Sequence, residues 1–421
     1  MHPIAPYVWY WRRPYASSIY ALCMWNVGSR HDPPTKEGLL HFLEHSLFKG
    51  TERRTGRAIF RLIESVGGEL NAFTTKDKIG LEVRTAPTEI GTALLILYEL
   101  AFRATFPDSE VEKEREVILE ELAMYEDIPE EALLDHFEEQ IFTEGGLRHP
   151  IIGYKTSVRS ITPEDLRLFY RDRLQTSPFV LLLTGPLSER DILRSLTRSG
   201  WSSISISDQS IPPPTTSEKV APPLIRHAAR HTQQVHLIIG GIAPTIYEWE
   251  ESIPVQLLLH RLAGGMSSRL SLILREKHGW TYSVYSFYHS YPEKAIWGIY
   301  TGLMPEAFRR ARLLIQAELN RLMDKPLSSR QLSELSRSFL GKQTLLWESS
   351  TYRIQAYSRS LLDVGRLIEE SEWKDAIKAI TPARLQEAAI RTFGQLYEWA
   401  YVPKEPQPHR APDYPEPSLM D

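Results

Sequence analysis

His41-Phe42-Leu43-Glu44-His45 reads H-x-x-E-H. On an α-helix, at about 100° per residue, positions i and i+4 lie about 40° apart and i+3 falls on the same side. Two imidazoles so placed grip one metal ion, and the carboxylate between them faces a water on that ion without having to be a ligand. With 13 His and 53 acidic residues in 421, a chance match would arise in about one such chain in twenty. The flanks argue against chance and against a solvated surface helix. Leu39, Leu40, Phe42, Leu43 and Leu47 surround the motif, and burying two His and a Glu among them is costly unless they have partners.

Two His need a third protein ligand and an open position. The acidic stretch Glu112 to Glu126 supplies candidates. Val117, Ile118, Leu122 and Tyr125 define its apolar stripe, and Glu114 and Glu121, seven residues apart, share a face. Glu120 and Glu121 stand only about 100° apart, so the helix pattern does not choose between them. Glu112, Glu116 and Glu126 read as a solvated face.

The run H-F-L-E-H-S-L-F-K-G-T (His41 to Thr51), with Glu121 76 residues after His45, resembles the pitrilysin/insulinase family of zinc peptidases. These are inverzincins, and the likeness is strongest to the short-chain branch that includes the mitochondrial processing peptidase. The resemblance implies Zn²⁺, one per chain, held by His41, His45 and Glu121. It implies Glu44 as the base and Glu114 as the residue supporting the ligands. Val66 to Thr74 (V-G-G-E-L-N-A-F-T) resembles the family's G-G-x-x-N-A-x-T segment. There an edge strand pairs with the substrate backbone, which makes Asn71, Ala72 and Phe73 candidate substrate-binding residues. Such strand addition binds any sequence through its main chain. Just beyond, this chain departs from the family's Thr and Tyr with Ile79 and Leu81.

Gly264-Gly265-Met266-Ser267-Ser268-Arg269-Leu270 and Leu274 to Tyr285 resemble the block G-G-x-x-S-R-L … R-E-x-x-G-L-x-Y-S-V. Trp280-Thr281 replaces the usual Leu-Ala. The resemblance implies that Arg275 and Tyr282 reach the active site from the other half. A guanidinium or phenol aimed at the developing oxyanion of a peptide carbonyl stabilises the transition state. Implied with these residues are a peptide substrate and a homodimer, or a heterodimer with a related subunit. The family also contains catalytically silent scaffold or peptide-binding subunits. Those typically lose the H-x-x-E-H residues, which this chain keeps, so the expectation is a zinc metalloendopeptidase acting on unfolded peptides.

The rest of the sequence is that of a globular chain. Apolar content is 42%, charged content 24% and net charge −4, with no long basic run, so nucleic acid is not an expected partner. No apolar run is long enough for a membrane helix. Met1-His2-Pro3-Ile4-Ala5-Pro6 does not read as a signal peptide, so the expected location is cytoplasmic. Cys23 is the single cysteine and sits in an apolar strand, so its expected role is structural.

Residues 203–223 are rich in Ser, Thr and Pro and read as a linker. They divide the chain into a metal-binding half, 1–202, and a homologous half, 224–403, that carries the Arg/Tyr motif, with a Pro-rich tail at 404–421. Each half orders extended segments and helices alike. The expected fold is α+β, two similar halves, each a largely antiparallel sheet packed with helices.

Overall fold

Ile19-Tyr20-Ala21-Leu22-Cys23-Met24-Trp25 forms a strand with every residue buried. Its alternate side chains enter two cores. Ile19, Ala21, Cys23 and Trp25 join one, and Tyr20, Leu22 and Met24 join another. A strand apolar on both faces must be covered on both, and that requirement organises the molecule.

The computed structural model describes residues 1–204 and 218–404. Its strands are β1 (His2–Ala5), β2 (Val8–Arg12), β3 (Ile19–Trp25), β4 (Glu69–Thr74), β5 (Ile79–Thr85), β6 (Phe142–Glu144), β7 (Phe179–Gly185), β8 (Lys219–Val220), β9 (Ile225–Arg230), β10 (Val235–Ala243), β11 (Thr281–Ser290), β12 (Ala295–Leu303) and β13 (Tyr397–Pro403). One sheet runs β1-β2-β7-β3-β5-β4 and the other β11-β12-β10-β13-β9. All pairs are antiparallel except β2 with β7 and β13 with β9. The orders β7-β3-β5-β4 and β13-β10-β12-β11 are the same path traced twice, so the repeat expected from element order is present in the topology. An ion pair repeats with it. Arg54 meets Glu99 in the first half, and Arg269 meets Glu318 at 2.8 Å in the second.

In the first half the first five α-helices are α1 (Leu39–Leu47), α2 (Gly56–Glu64), α3 (Ile90–Phe102), α4 (Asp108–Asp127) and α5 (Pro129–Ile141). The α1 helix places Leu39, Leu40, Phe42, Leu43 and Leu47 in the first core. The two halves do not keep their helices to themselves. Leu133, Phe137 and Ile141 of α5 pack on Ile238, Tyr300, Tyr397 and Tyr401 of the second sheet. In return, Ile354, Tyr357 and Leu361 of the Ser350–Val364 helix pack on Tyr20, Leu22, Met24, Val180 and Leu182 of the first. Each sheet is thus covered on its second face by a helix from the other half. Every such buried side chain contributes roughly 1.5–3 kcal/mol.

Buried charge follows the same exchange. Lys78 of the first half, fully buried, meets Asp363 at 2.6 Å. Arg30 meets Glu293 at 2.5 Å and Glu218 at 2.9 Å. Residues 205–217 of the expected linker and 405–421 of the expected tail lie outside the described residues. The end of the linker segment is ordered, with β8 paired to β6.

Candidate metal centre

The α1 helix begins where the chain needs a left-handed residue. Gly38 has φ +93°, and a Cβ there would lie 2.4 Å from the carbonyl oxygen of Ile152. The Asp32 carboxylate caps the first turn, accepting from Gly38 N at 2.8 Å and Leu40 N at 3.0 Å. Burial holds its pKa well above the usual carboxylate range, against the pull of those backbone N–H groups. With the apolar face of α1 fixed in the core, His41, Glu44 and His45 are left on the partly exposed side. The two imidazole rings lie 4.6 Å apart.

The α4 helix crosses against α1 and brings Glu121 to them. Glu121 Oε2 is 4.0 Å from His41 Nε2 and 3.5 Å from His45 Nε2. Among the described residues, His41, His45 and Glu121 are the group of three whose ligand atoms all fall within 4.8 Å of one another. Glu120, its neighbour, is exposed.

Glu114 is buried one helical face behind. Its Oε1 is 2.9 Å from His45 Nδ1, the geometry of an Nδ1–H donor, and its Oε2 pairs with Lys49. That bond assigns the proton of His45 to Nδ1 and leaves Nε2 turned toward Glu121. Burial would lower the pKa of His45, but Glu114, Glu44 and Glu121 outweigh it and raise it. His41 is held down to about 3, by burial and then by His45, so it is the neutral imidazole that ligation requires. Among the described residues, its Nδ1 is buried without a hydrogen-bond partner. Two imidazoles and one carboxylate with an open side fit a catalytic Zn²⁺.

Glu44 shares the cavity. Burial raises its pKa, opposed by Thr74 and His45, and Thr74 Oγ1 donates to its Oε2 at 2.6 Å. A carboxylate more basic than usual, beside a metal-ligand set, is suited to accept a proton at neutral pH.

The cavity in front of these groups is about 620 Å³ and is lined from the second half by Tyr288, His289, Ser290, Tyr291 and Arg359. Glu131, Asp135 and Glu138 of α5 stand on its wall. Glu138 is consumed by Lys76 at 2.9 Å and His289 at 2.8 Å. Arg359 stands 3.7 Å from Asp77. Among the described residues Asp135 has no such ion pair, and burial pushes its pKa up to about 6.

The other expected residues fall as follows. Asn71, Ala72 and Phe73 lie on β4, the edge of the first sheet. Their side chains alternate. Ala72 packs on the α1 side, whereas Phe73 packs on the opposite face, its ring lying over Gly80. Ile79 and Leu81 are fully buried core residues of β5, which accounts for their apolar character. Arg275 and Tyr282 are the residues expected to reach the site from the other half. They do not line the cavity. The Arg275 guanidinium sits over the Tyr282 ring at 5.4 Å, and Tyr282 is 81% exposed. Three residues at the site were not assigned from sequence. Thr74 and Lys49 are inside quoted motifs but carry no signal of their partners, and Asp32, six residues before the N-cap Gly38, carries no local signal of its capping role.

A model of the insulinase family (peptidase family M16) matches residues 7–155, and one described as the M16 inactive domain matches 160–339. The chain is similar to uncharacterized zinc proteases. One from Mycobacterium tuberculosis is 30% identical over 88% of this chain and 85% of its own length. One from Bacillus subtilis is 27% identical over 91% and 92%. In fold it is similar to a protease from Helicobacter pylori, with TM-score 0.84 and 19% identity over 94% of this chain and 96% of that one. A peptidase M16 inactive domain from Pseudomonas fluorescens gives TM-score 0.84 and 17% identity over 95% and 96%. Among the described residues, no helix is long and apolar enough to cross a membrane.

Proposed function

The chain belongs to the insulinase family of peptidases, M16, and from that premise we propose that it is a zinc-dependent endopeptidase that hydrolyses unfolded peptides. The observation that carries this reading is the convergence of His41, His45 and Glu121 within 4.8 Å, with Glu44 in the same cavity. Zinc held by these three ligands would supply a Lewis acid that polarises the scissile carbonyl and acidifies water. Glu44 accepts the proton of the attacking water and returns it to the leaving amine. The free edge of β4 binds the extended peptide through its backbone.

Of the charged groups on the cavity wall, Glu131 and Asp135 are without a hydrogen bond or ion pair among the described residues. A basic side chain near the scissile bond would complement them. Tyr282, exposed, and Arg275, partly buried, both outside the cavity, act from a second copy of the chain in a homodimer, where they meet the developing oxyanion. The reading as a silent subunit would leave the retained Glu44 and Glu121 without a role.

The test is Glu44→Gln. It should keep its zinc, measured as metal per chain, and lose peptide turnover by roughly 10²–10⁴-fold, the usual worth of a general base. Near-normal turnover would sink the assignment.

A further inference from the structure

The hydroxyl of Thr74 is the protein group that holds the Glu44 carboxylate. It donates to Oε2 at 2.6 Å, and among the described residues Oε1 has no protein partner. A carboxylate pivots about its terminal bond, which is a broad torsion. A single strong donor on one oxygen fixes the plane and leaves the other oxygen turned to the cavity.

Thr74 occupies a special place in the chain. It is the last residue of β4, the edge strand, and it lies on the face that Ala72 and Leu70 turn toward α1. The next residues, Thr75 to Lys78, form the turn into β5, closed by Thr75 N donating to Lys78 O at 2.7 Å. That turn is tied from three directions. Lys76 Nζ donates to the carbonyls of Leu147 at 3.0 Å and His149 at 2.6 Å. It also meets Glu138, which in turn holds His289 of β11. Lys78 meets Asp363 of the Ser350–Val364 helix, and Arg359 of the same helix faces Asp77. Both halves therefore hold the turn that follows the strand end presenting the hydroxyl to the base, the first through Leu147, His149 and Glu138 and the second through Asp363 and Arg359.

We propose that Thr74 is a positioning residue. Its hydroxyl orients Glu44 for proton transfer, and its position at the end of β4 makes the seating of a peptide backbone on that strand and the alignment of the base one event. The proposal rests on the peptidase reading above. Thr74 itself forms no bond to substrate and transfers no proton. Its removal lets the carboxylate turn without emptying the ligand set, so binding and metal content survive while chemistry slows.

The experiment compares Thr74→Val, which keeps the shape and loses the donor, with Thr74→Ser, which keeps the donor. An unfolded-peptide substrate with a fluorescence readout is used on the full zinc-loaded protein. Thr74→Val should lower kcat by about 10- to 100-fold with KM and zinc per chain within about two-fold of wild type. Thr74→Ser should recover kcat to within about three-fold. If Val does not fold, as judged by circular dichroism, Thr74→Ala takes its place. Wild-type kcat in the variant lacking the hydroxyl overturns the proposal, as does equal impairment by Val and Ser, or a loss that appears in KM or zinc content instead. A wild type that binds zinc and cleaves no peptide overturns the peptidase reading and this proposal with it. Active wild type with an indifferent Thr74 overturns this proposal alone.

Discussion

Glu120 and Glu121 are adjacent in sequence and turn to different surroundings. A rotation of about 100° leaves Glu120 exposed and brings Glu121 Oε2 to 3.5 Å from His45 Nε2. Glu121→Ala should therefore abolish stoichiometric zinc binding, while Glu120→Ala should leave it unchanged. Glu114→Ala should weaken zinc about 10- to 100-fold, since it removes the group that orients His45 rather than a ligand. Equilibrium dialysis against a zinc indicator decides, and the reverse order for Glu120 and Glu121 would sink the ligand assignment. What could be read at this scale follows from what spacing encodes. His41, Glu44 and His45 lie within one helical turn, so their convergence is fixed by helix geometry alone. Glu121 is on another helix, and only a family resemblance selected it over Glu120. Thr74 and Lys49 touch their carboxylates through tertiary contacts 30 and 65 positions apart (74 − 44; 114 − 49), and no local pattern records such a meeting.

At the scale of elements, the strands around β3 to β5 and the helix bearing the motif were legible because their hydrophobic periods are clear. The exchange of α5 and the Ser350–Val364 helix was not. An amphipathic helix announces that it buries one face, but not which sheet it buries it against. The consequence of the exchange is electrostatic as well as apolar, because α5 carries Asp135 into the cavity beside residues of both halves. Its folded pKa of about 6, against an ordinary value of 3.8, arises first from burial. Between these two values the folded state holds the proton more tightly than the unfolded chain. Stability therefore falls as pH rises from about 4 through about 6, and the cost remains above that. At about 1.4 kcal/mol per pKa unit the cost is at most about 3 kcal/mol, and less to the extent that cavity water screens the charge. Asp135→Asn should thus be more stable than wild type at pH 7.5 by about 1–3 kcal/mol in urea unfolding, and by only about a third of that at pH 4.5. A stability gain that is the same at both pH values would show that the cause is packing rather than charge.

The whole molecule is one interlocked body. Lys78–Asp363 and Arg30–Glu293 are ion pairs across the two halves, with Lys78, Asp363 and Arg30 buried. Opening the halves would also expose the apolar side chains that each lends to the other, Leu133, Phe137 and Ile141 on one side and Ile354, Tyr357 and Leu361 on the other, at roughly 1.5–3 kcal/mol for each. A hinge within the chain is thus disfavoured as the step that brings Arg275 and Tyr282 to the metal centre. Both already lie outside the cavity, with Tyr282 turned to solvent. A second copy provides the remaining route, since a two-fold dimer lets each chain lend its Tyr282 to the other's Glu44. Complementation tests this without any structure of the dimer. Glu44→Gln and Tyr282→Phe should each be nearly inactive as pure homodimers. Mixed in equal amounts under conditions that allow subunit exchange, they should regain about a quarter of wild-type activity, because half of the dimers are then mixed and each mixed dimer holds one intact site. A mixture no more active than its components would place Tyr282 with the Glu44 of its own chain, or outside the reaction altogether.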